Sequence, residues 1–172
     1  MQRIAQFYKV SFEEFSKAYK DDFGGSDEEI RRVYDAIELP GRATSGSAGY
    51  DFHTPVDIHL EPQQTAKIPT GIRAKMDEDW VLMIFPRSGL GFKFRLQLNN
   101  TVGIIDSDYY NSDNEGHIFI KITNDSNEGK VVDLKAGAGF AQGLFIPYGI
   151  TVDDAADKSR NGGFGSTDAQ KG

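Results

Sequence analysis

Five short stretches of this chain hold side chains whose types and spacing could grip a phosphate and aim a water molecule. In "FPRSGLGFK" (85–93), Arg87, Ser88 and Gly89 set a guanidinium, a hydroxyl and an unshielded backbone N–H side by side. Those are the donor types that phosphate oxygens accept from. In "NNTVGIIDSDYY" (99–110), an apolar run leads into Asp106 and Asp108, with Tyr109 and Tyr110 just beyond. A carboxylate reached through apolar residues is held oriented and partly desolvated, as a general base must be. "SAGYDF" (47–52) carries Asp51, and "GAGFAQGLF" (137–145) carries Gln142 among glycines. "GGFGST" (162–167) offers three glycines, one ring and two hydroxyls. It cannot build a core, but it suits a lid that orders only when it closes on a ligand, because glycine is entropically the costliest residue to fix. Taken singly, each stretch has a plainer reading. Asp51 serves equally as a turn residue, and Arg87 as a stray surface charge.

Several chemistries are excluded. The chain has no cysteine, so disulfides, thiolate zinc sites and cysteine nucleophiles are absent. Its three histidines, His53, His59 and His117, show no ligand-like clustering. The "GAGFAQG" glycines do not match a dinucleotide fingerprint, and no P-loop pattern occurs. Asp106-x-Asp108 followed by two tyrosines is not an EF-hand loop. A net charge of -7 argues against nucleic acid as a partner. It also means that a phosphate ligand would need a few well-placed cations, aimed N–H groups or a divalent metal. No run of about 18 apolar residues is present, and the N-terminus lacks the apolar run of a signal peptide, so neither a membrane partner nor a membrane location is expected and the expected address is the cytoplasm.

The elements that must position these groups fall into two textures. Residues 1–39 read as helical: Ser11 with Glu14 and Ser26 with Glu29 fit the capping-box spacing. Phe12, Phe15 and Tyr19 line one face, and Ile30, Val33, Tyr34 and Ile37 line another. Pro40-Gly41 ends this segment. Beyond it, short apolar runs are split by Gly, Pro, Asn and Asp, with candidate strands at 56–60, 65–68, 71–76, 80–85, 94–98, 118–123, 130–134 and 141–147. Many short strands at this spacing predict an all-β sandwich, jelly roll or barrel. The expected organisation is a helical extension (1–39), a β core (40–152) and a mobile glycine-rich tail (153–172).

Read in order, "AGYD", "PRSG", "GIIDSDY", "AQ" and "GGFGST" resemble the five motifs of the trimeric deoxyuridine triphosphate nucleotidohydrolases, the dUTPases, over about residues 40–168. The resemblance implies a jelly-roll-like β fold (the β-clip fold) and a homotrimer whose active sites draw motifs from more than one subunit. It also implies hydrolysis of dUTP to dUMP and pyrophosphate with Mg2+, which limits uracil in DNA and supplies dUMP for thymidylate synthesis. By motif position, Asp106 would aim and deprotonate the water attacking the α-phosphorus, and Asp51 would hold the metal through water. Arg87, Ser88, Gly89 and Gln142 would bind phosphate. Asn100, Gly103 and Ile105 lie in the uracil-reading hairpin, and Tyr109 is placed to pack under the deoxyribose. Phe164 would cover the base, and Arg160, Gly165, Ser166 and Thr167 would clamp the γ-phosphate. Three features depart from the family pattern. Ala138 and Gly139 stand where an Asp and an Arg are usual. Arg160 lies one residue closer to Phe164 than in many relatives. "YNSDNE" (110–115) delays the glycine of the third motif to Gly116. A dCTP deaminase of the same fold, or a non-hydrolysing regulator, are the competing readings.

Overall fold

In "HIFIKIT" (117–123), isoleucine recurs at every second position, and a strand turns alternate side chains to opposite faces. The computed structural model, which describes residues 2–157, forms strand β9 here (Phe119–Asn124), with Ile120 and Ile122 buried and Lys121 exposed. Around it the chain runs β1 (Ala5–Lys9), α1 (Phe12–Phe23), α2 (Asp27–Asp35), β2 (Tyr50–His53), β3 (Ile58–Leu60), β4 (Thr65–Pro69), β5 (Ile72–Met76) and β6 (Trp80–Pro86). A short helix α3 (Ser88–Phe94), β7 (Leu96–Leu98), β8 (Gly103–Ile105) and a 3-10 turn (Ser107–Asn111) follow. After β9 come β10 (Val132–Leu134) and β11 (Gly139–Pro147). The strands pair antiparallel in the orders β2-β11-β6-β8, β4-β9-β7, β1-β5 and β10-β3.

These sheets share one core. Phe52, Leu82, Ile84 and Phe140 come from the four-stranded sheet. They meet Ile68, Leu96, Leu98, Ile120 and Ile122 of the three-stranded sheet, and Ile58, Leu60 and Val132 of the β10-β3 pair. The all-β, jelly-roll-like expectation holds.

Two local expectations do not. Residues 5–9, expected to be helical, form β1, which pairs residue for residue with β5 and buries Phe7 in the main core. Five residues carry too little periodicity to choose their own state, and the partner strand decides. The helical hairpin itself is present as α1 and α2. Ser26 and Glu29 complete a reciprocal capping box, and Phe15 and Ile30 form a satellite core with Val10. Burying each such side chain contributes about 1.5–3 kcal/mol. The strand expected over 94–98 is shorter. Residues 88–94 coil into α3, and Arg95 in the left-handed region (φ 53°) ends the helix before β7 begins.

Candidate active site

Strands β7 and β8 follow one another in the chain yet do not pair. β7 is the outer strand of the three-stranded sheet, and β8 is the outer strand of the four-stranded sheet. The connecting turn at 99–102 is tight: Thr101 takes φ 68°, and its N–H donates to the Leu98 carbonyl at 2.9 Å. Between the two edges opens a cavity of about 550 Å³, lined by Leu98, Asn100, Val102, Gly103, Ile104, Ile105, Asp106 and Tyr109 among others. Gly103 packs closely on β6: a Cβ there would sit 3.1 Å from Cβ of Ile84, which would have to give by a few tenths of an ångström. All five of the site residues expected between 100 and 109 therefore line one cavity: Asn100, Gly103, Ile105, Asp106 and Tyr109.

Asp106 leaves β8 in an extended conformation and heads the 3-10 turn, its carbonyl accepting from the Tyr109 N–H at 3.2 Å. Tyr109 is buried. Its hydroxyl donates to the His117 carbonyl at 2.7 Å and accepts from the Asn114 amide at 2.8 Å. Gly116 closes the loop against this turn at φ 72°, where a Cβ would meet the Tyr109 carbonyl oxygen and the Tyr110 Cα, each at 2.7 Å.

The remaining predicted groups gather elsewhere on the four-stranded sheet. Asp51 on β2 lies opposite Gln142 on β11, and Gln142 lies opposite Phe85 on β6. Arg87, at the N-cap of α3, turns its guanidinium back across the sheet, with Nε 3.4 Å from Asp51 Oδ1 and Nη1 3.4 Å from the Gly139 carbonyl. Gly139 makes this possible, since a Cβ there would lie 2.6 Å from Arg87 Nη1. The space left by the missing fourth-motif side chain is filled by the second-motif arginine. Likewise, a Cβ on Gly49 would meet Gln142 Oε1 at 2.5 Å, so the glycine of "AGYD" is where the glutamine lies. Ser88 and Gly89 form the exposed first turn of α3, where helix geometry leaves backbone N–H groups without internal partners.

The two groups of residues are well separated within one chain. Ile105 lies opposite Leu82 on β6. From there to Asp51 is three strand spacings across the sheet and three residues along it, about 17 Å between backbones. Arg160, Phe164, Gly165, Ser166 and Thr167 lie outside the described residues.

The cavity also contains residues that local sequence did not single out: Lys67 on β4 and Phe119 and Lys121 on β9. Lys67 and Lys121 face each other in register, which brings two cations to the cavity of an acidic protein. Lys67 is held by Asp22 of α1 at 3.0 Å. The alternation of β9 put Lys121 on the face away from the isoleucines, but only strand pairing joins it to Lys67.

The dUTPase family model matches residues 35–168. The chain belongs to the dUTPase family. A deoxyuridine 5'-triphosphate nucleotidohydrolase of Lactococcus lactis is 40% identical over 136 residues, covering 77% of this chain and 89% of that protein. One of Hahella chejuensis is 39% identical over 145 residues, covering 80% and 91%. The dUTPase structure from Streptococcus mutans is 39% identical, with a TM-score of 0.59 over 67% of this chain and 89% of that one. The dUTPase from phage phi11 of S. aureus, 20% identical, shares the fold with a TM-score of 0.61 over 91% and 97%. The dUTPase match begins at Asp35, the last residue of α2, so β1, α1 and the rest of α2 precede it. Among the described residues, no helix is long and apolar enough to cross a membrane.

Proposed function

We propose that this dUTPase-family chain hydrolyses dUTP to dUMP and pyrophosphate in a homotrimer. Each site would combine the cavity of one subunit with the Asp51, Arg87 and Gln142 group of a neighbour. The observation that carries this reading is the strand order and register, which by strand spacing leave about 17 Å between the backbones of Ile105 and Asp51. Each holds half of what the reaction needs, and one chain keeps them apart.

The roles follow from placement. Among the described residues, the edges of β7 and β8 carry backbone N–H and C=O groups with no further strand beyond them. Such an edge can hydrogen-bond a planar base as it would another strand. A base with the wrong donor pattern would leave a buried polar group unpaired, at a cost of about 1–3 kcal/mol. Tyr109, buried with its hydroxyl engaged, presents its ring to the sugar and leaves little room for an added hydroxyl. Asp106 at the rim aims the water at the α-phosphorus and takes its proton, a role that contributes about 10²–10⁴-fold. Arg87, Ser88, Gly89 and Gln142 neutralise and orient the phosphates.

Among the described residues, no three carboxylates or histidines gather to cage a metal. A single carboxylate completed by phosphate oxygens and water is nonetheless a donor set that magnesium commonly accepts, and Asp51, half-buried beside Arg87, fits it. Bound there through water, Mg2+ would draw negative charge from the phosphate oxygens. Production of dUMP in this way would keep uracil out of DNA and supply thymidylate synthesis.

The test is a panel of dUTP, dCTP, dTTP and UTP with magnesium in oxygen-18 water. The expected result is turnover of dUTP alone, abolished by a chelator, with the label in dUMP. Ammonia from dCTP, label in pyrophosphate, or tight dUTP binding without turnover would overturn the reading.

A further inference from the structure

The loop at 110–115 meets the N-terminal elements that precede the family match. Glu115 Oε2 accepts from the Ser11 N–H at 2.8 Å, and Glu115 Oε1 accepts from the Ser11 hydroxyl at 2.6 Å. Ser11 is the N-cap of α1, and its hydroxyl also accepts from the Glu14 N–H. In a capping box the glutamate three residues on would bond the cap N–H. Here Glu115, more than a hundred residues away in sequence, takes that place. Glu14 turns instead to His117, 3.3 Å from Nδ1. The other ring nitrogen, Nε2, accepts from the Gly71 N–H at 2.9 Å, so this imidazole is the neutral form with its proton on Nδ1.

The contacts converge on the turn that carries Tyr109. Arg73 Nη2 donates to the Tyr110 carbonyl at 2.6 Å, its guanidinium stacks 3.7 Å from the Tyr110 ring centroid, and Nη1 lies 3.9 Å from Glu115. Tyr8 of β1 packs on Tyr110 with ring centroids 5.9 Å apart. Glu115 itself holds φ 58°, a conformation unfavourable for a residue with a side chain. Asn114, just before it, supplies the amide bonded to the Tyr109 hydroxyl, and His117, two residues after it, supplies the carbonyl. A shift of Glu115 is therefore transmitted on both sides to the ring that floors the cavity.

We propose that Glu115 is a positioning residue for sugar selection: by gripping Ser11 it fixes the 114–117 loop, and with it Tyr109, so that residues 5–35 take part in rejecting ribonucleotides. The proposal rests on the dUTPase reading above. The clamp acts through Tyr109 and touches no reacting atom.

The experiment compares Glu115→Gly, Glu115→Gln and the unaltered protein for kcat and KM on dUTP and UTP, with thermal melts alongside. Glycine removes the clamp while relieving the positive φ, and glutamine keeps an acceptor within reach of the Ser11 N–H. The expected result is a loss of dUTP-over-UTP discrimination of about tenfold in Glu115→Gly, within the range for residues that couple to a site indirectly. Discrimination should be largely restored in Glu115→Gln. Unchanged discrimination in Glu115→Gly, at any melting temperature, would overturn the proposal. If Glu115→Gly does not fold, Ser11→Ala against Ser11→Thr decides by the same ratio. An unaltered protein that does not turn over dUTP would refute the parent reading, whereas selective turnover shared by all variants would refute only the clamp.

Discussion

Two inactive forms of this protein should restore each other. Asp106 borders the cavity, while Arg87 reaches across to Asp51 on β2. A general base must stand within about 3 Å of the proton it takes, and an arginine within about 3 Å of the phosphate oxygen it binds. Strand spacing puts the backbones of Ile105 and Asp51 about 17 Å apart, and the Arg87 guanidinium is turned away from β8 towards β2, so one bound triphosphate is not expected to use both groups of the same chain. Asp106→Asn and Arg87→Ala homotrimers should each be nearly inactive. Denatured together in equal amounts and refolded, they give mixed trimers. A site is whole when its cavity comes from an Arg87→Ala chain and its phosphate group from an Asp106→Asn chain. Random assembly makes about a quarter of the sites whole. The assay is the rate of pyrophosphate release from dUTP per chain, with solution mass confirming three times the 19.0 kDa chain. Recovery near a quarter of the unaltered rate is expected. No recovery in folded mixed trimers would refute the shared site, because sites confined to one chain never gain a complete set by mixing.

Two further outcomes are expected. His117 is buried, and burial pushes its imidazole down to about 3, outweighing the pull of Glu115. The folded chain thus keeps the ring neutral, while the unfolded chain takes up a proton near the ordinary value of 6.5. Stability is full above that value and is lost as pH falls through the window down to about 3, with a loss of roughly 2 kcal/mol by about pH 5. Glu14, whose carboxyl burial raises, and His59, raised by its bond to Asp133, act in the opposite direction. Urea midpoints at fixed protein concentration check this, and His117→Gln should flatten the slope; equal slopes would refute it. Separately, a chain ended after Ser159 should keep the sheets and core but hydrolyse dUTP more slowly, as circular dichroism and initial rates would show. An unchanged rate removes the tail from the reaction.

The parts of this structure legible in the sequence are those in which a residue's role is set by near neighbours. The alternation of "HIFIKIT" gave β9 its buried face, and the Ser26 and Glu29 spacing gave the cap of α2. The motif order placed Asn100, Gly103, Ile105, Asp106 and Tyr109 in one cavity. What stayed hidden depends on partners far along the chain. β1 is a strand because β5 lies beside it. Ser88 and Gly89 open a helix, α3, that ends where Arg95 turns the chain at a positive φ. Lys67 and Lys121 meet through the register of β4 and β9.

The departures from the family pattern show the same physics. Gly139 looks in sequence like the loss of a charge, but its missing Cβ is the space through which Arg87 reaches Asp51. Gly116 looks like a displaced motif glycine, but it is the point where an added loop folds back on Tyr109 so that Glu115 can reach Ser11. In both cases a change at one position is answered by a side chain from another part of the fold. The third motif lies between the second and fourth in sequence, and β6, which runs into the second motif, pairs with β11 of the fourth on one side and with β8 of the third on the other. Ile105, just before Asp106, lies opposite Leu82 near the start of β6, while Arg87 follows its end, and on the proposed reading it is this spacing that a second subunit would bridge.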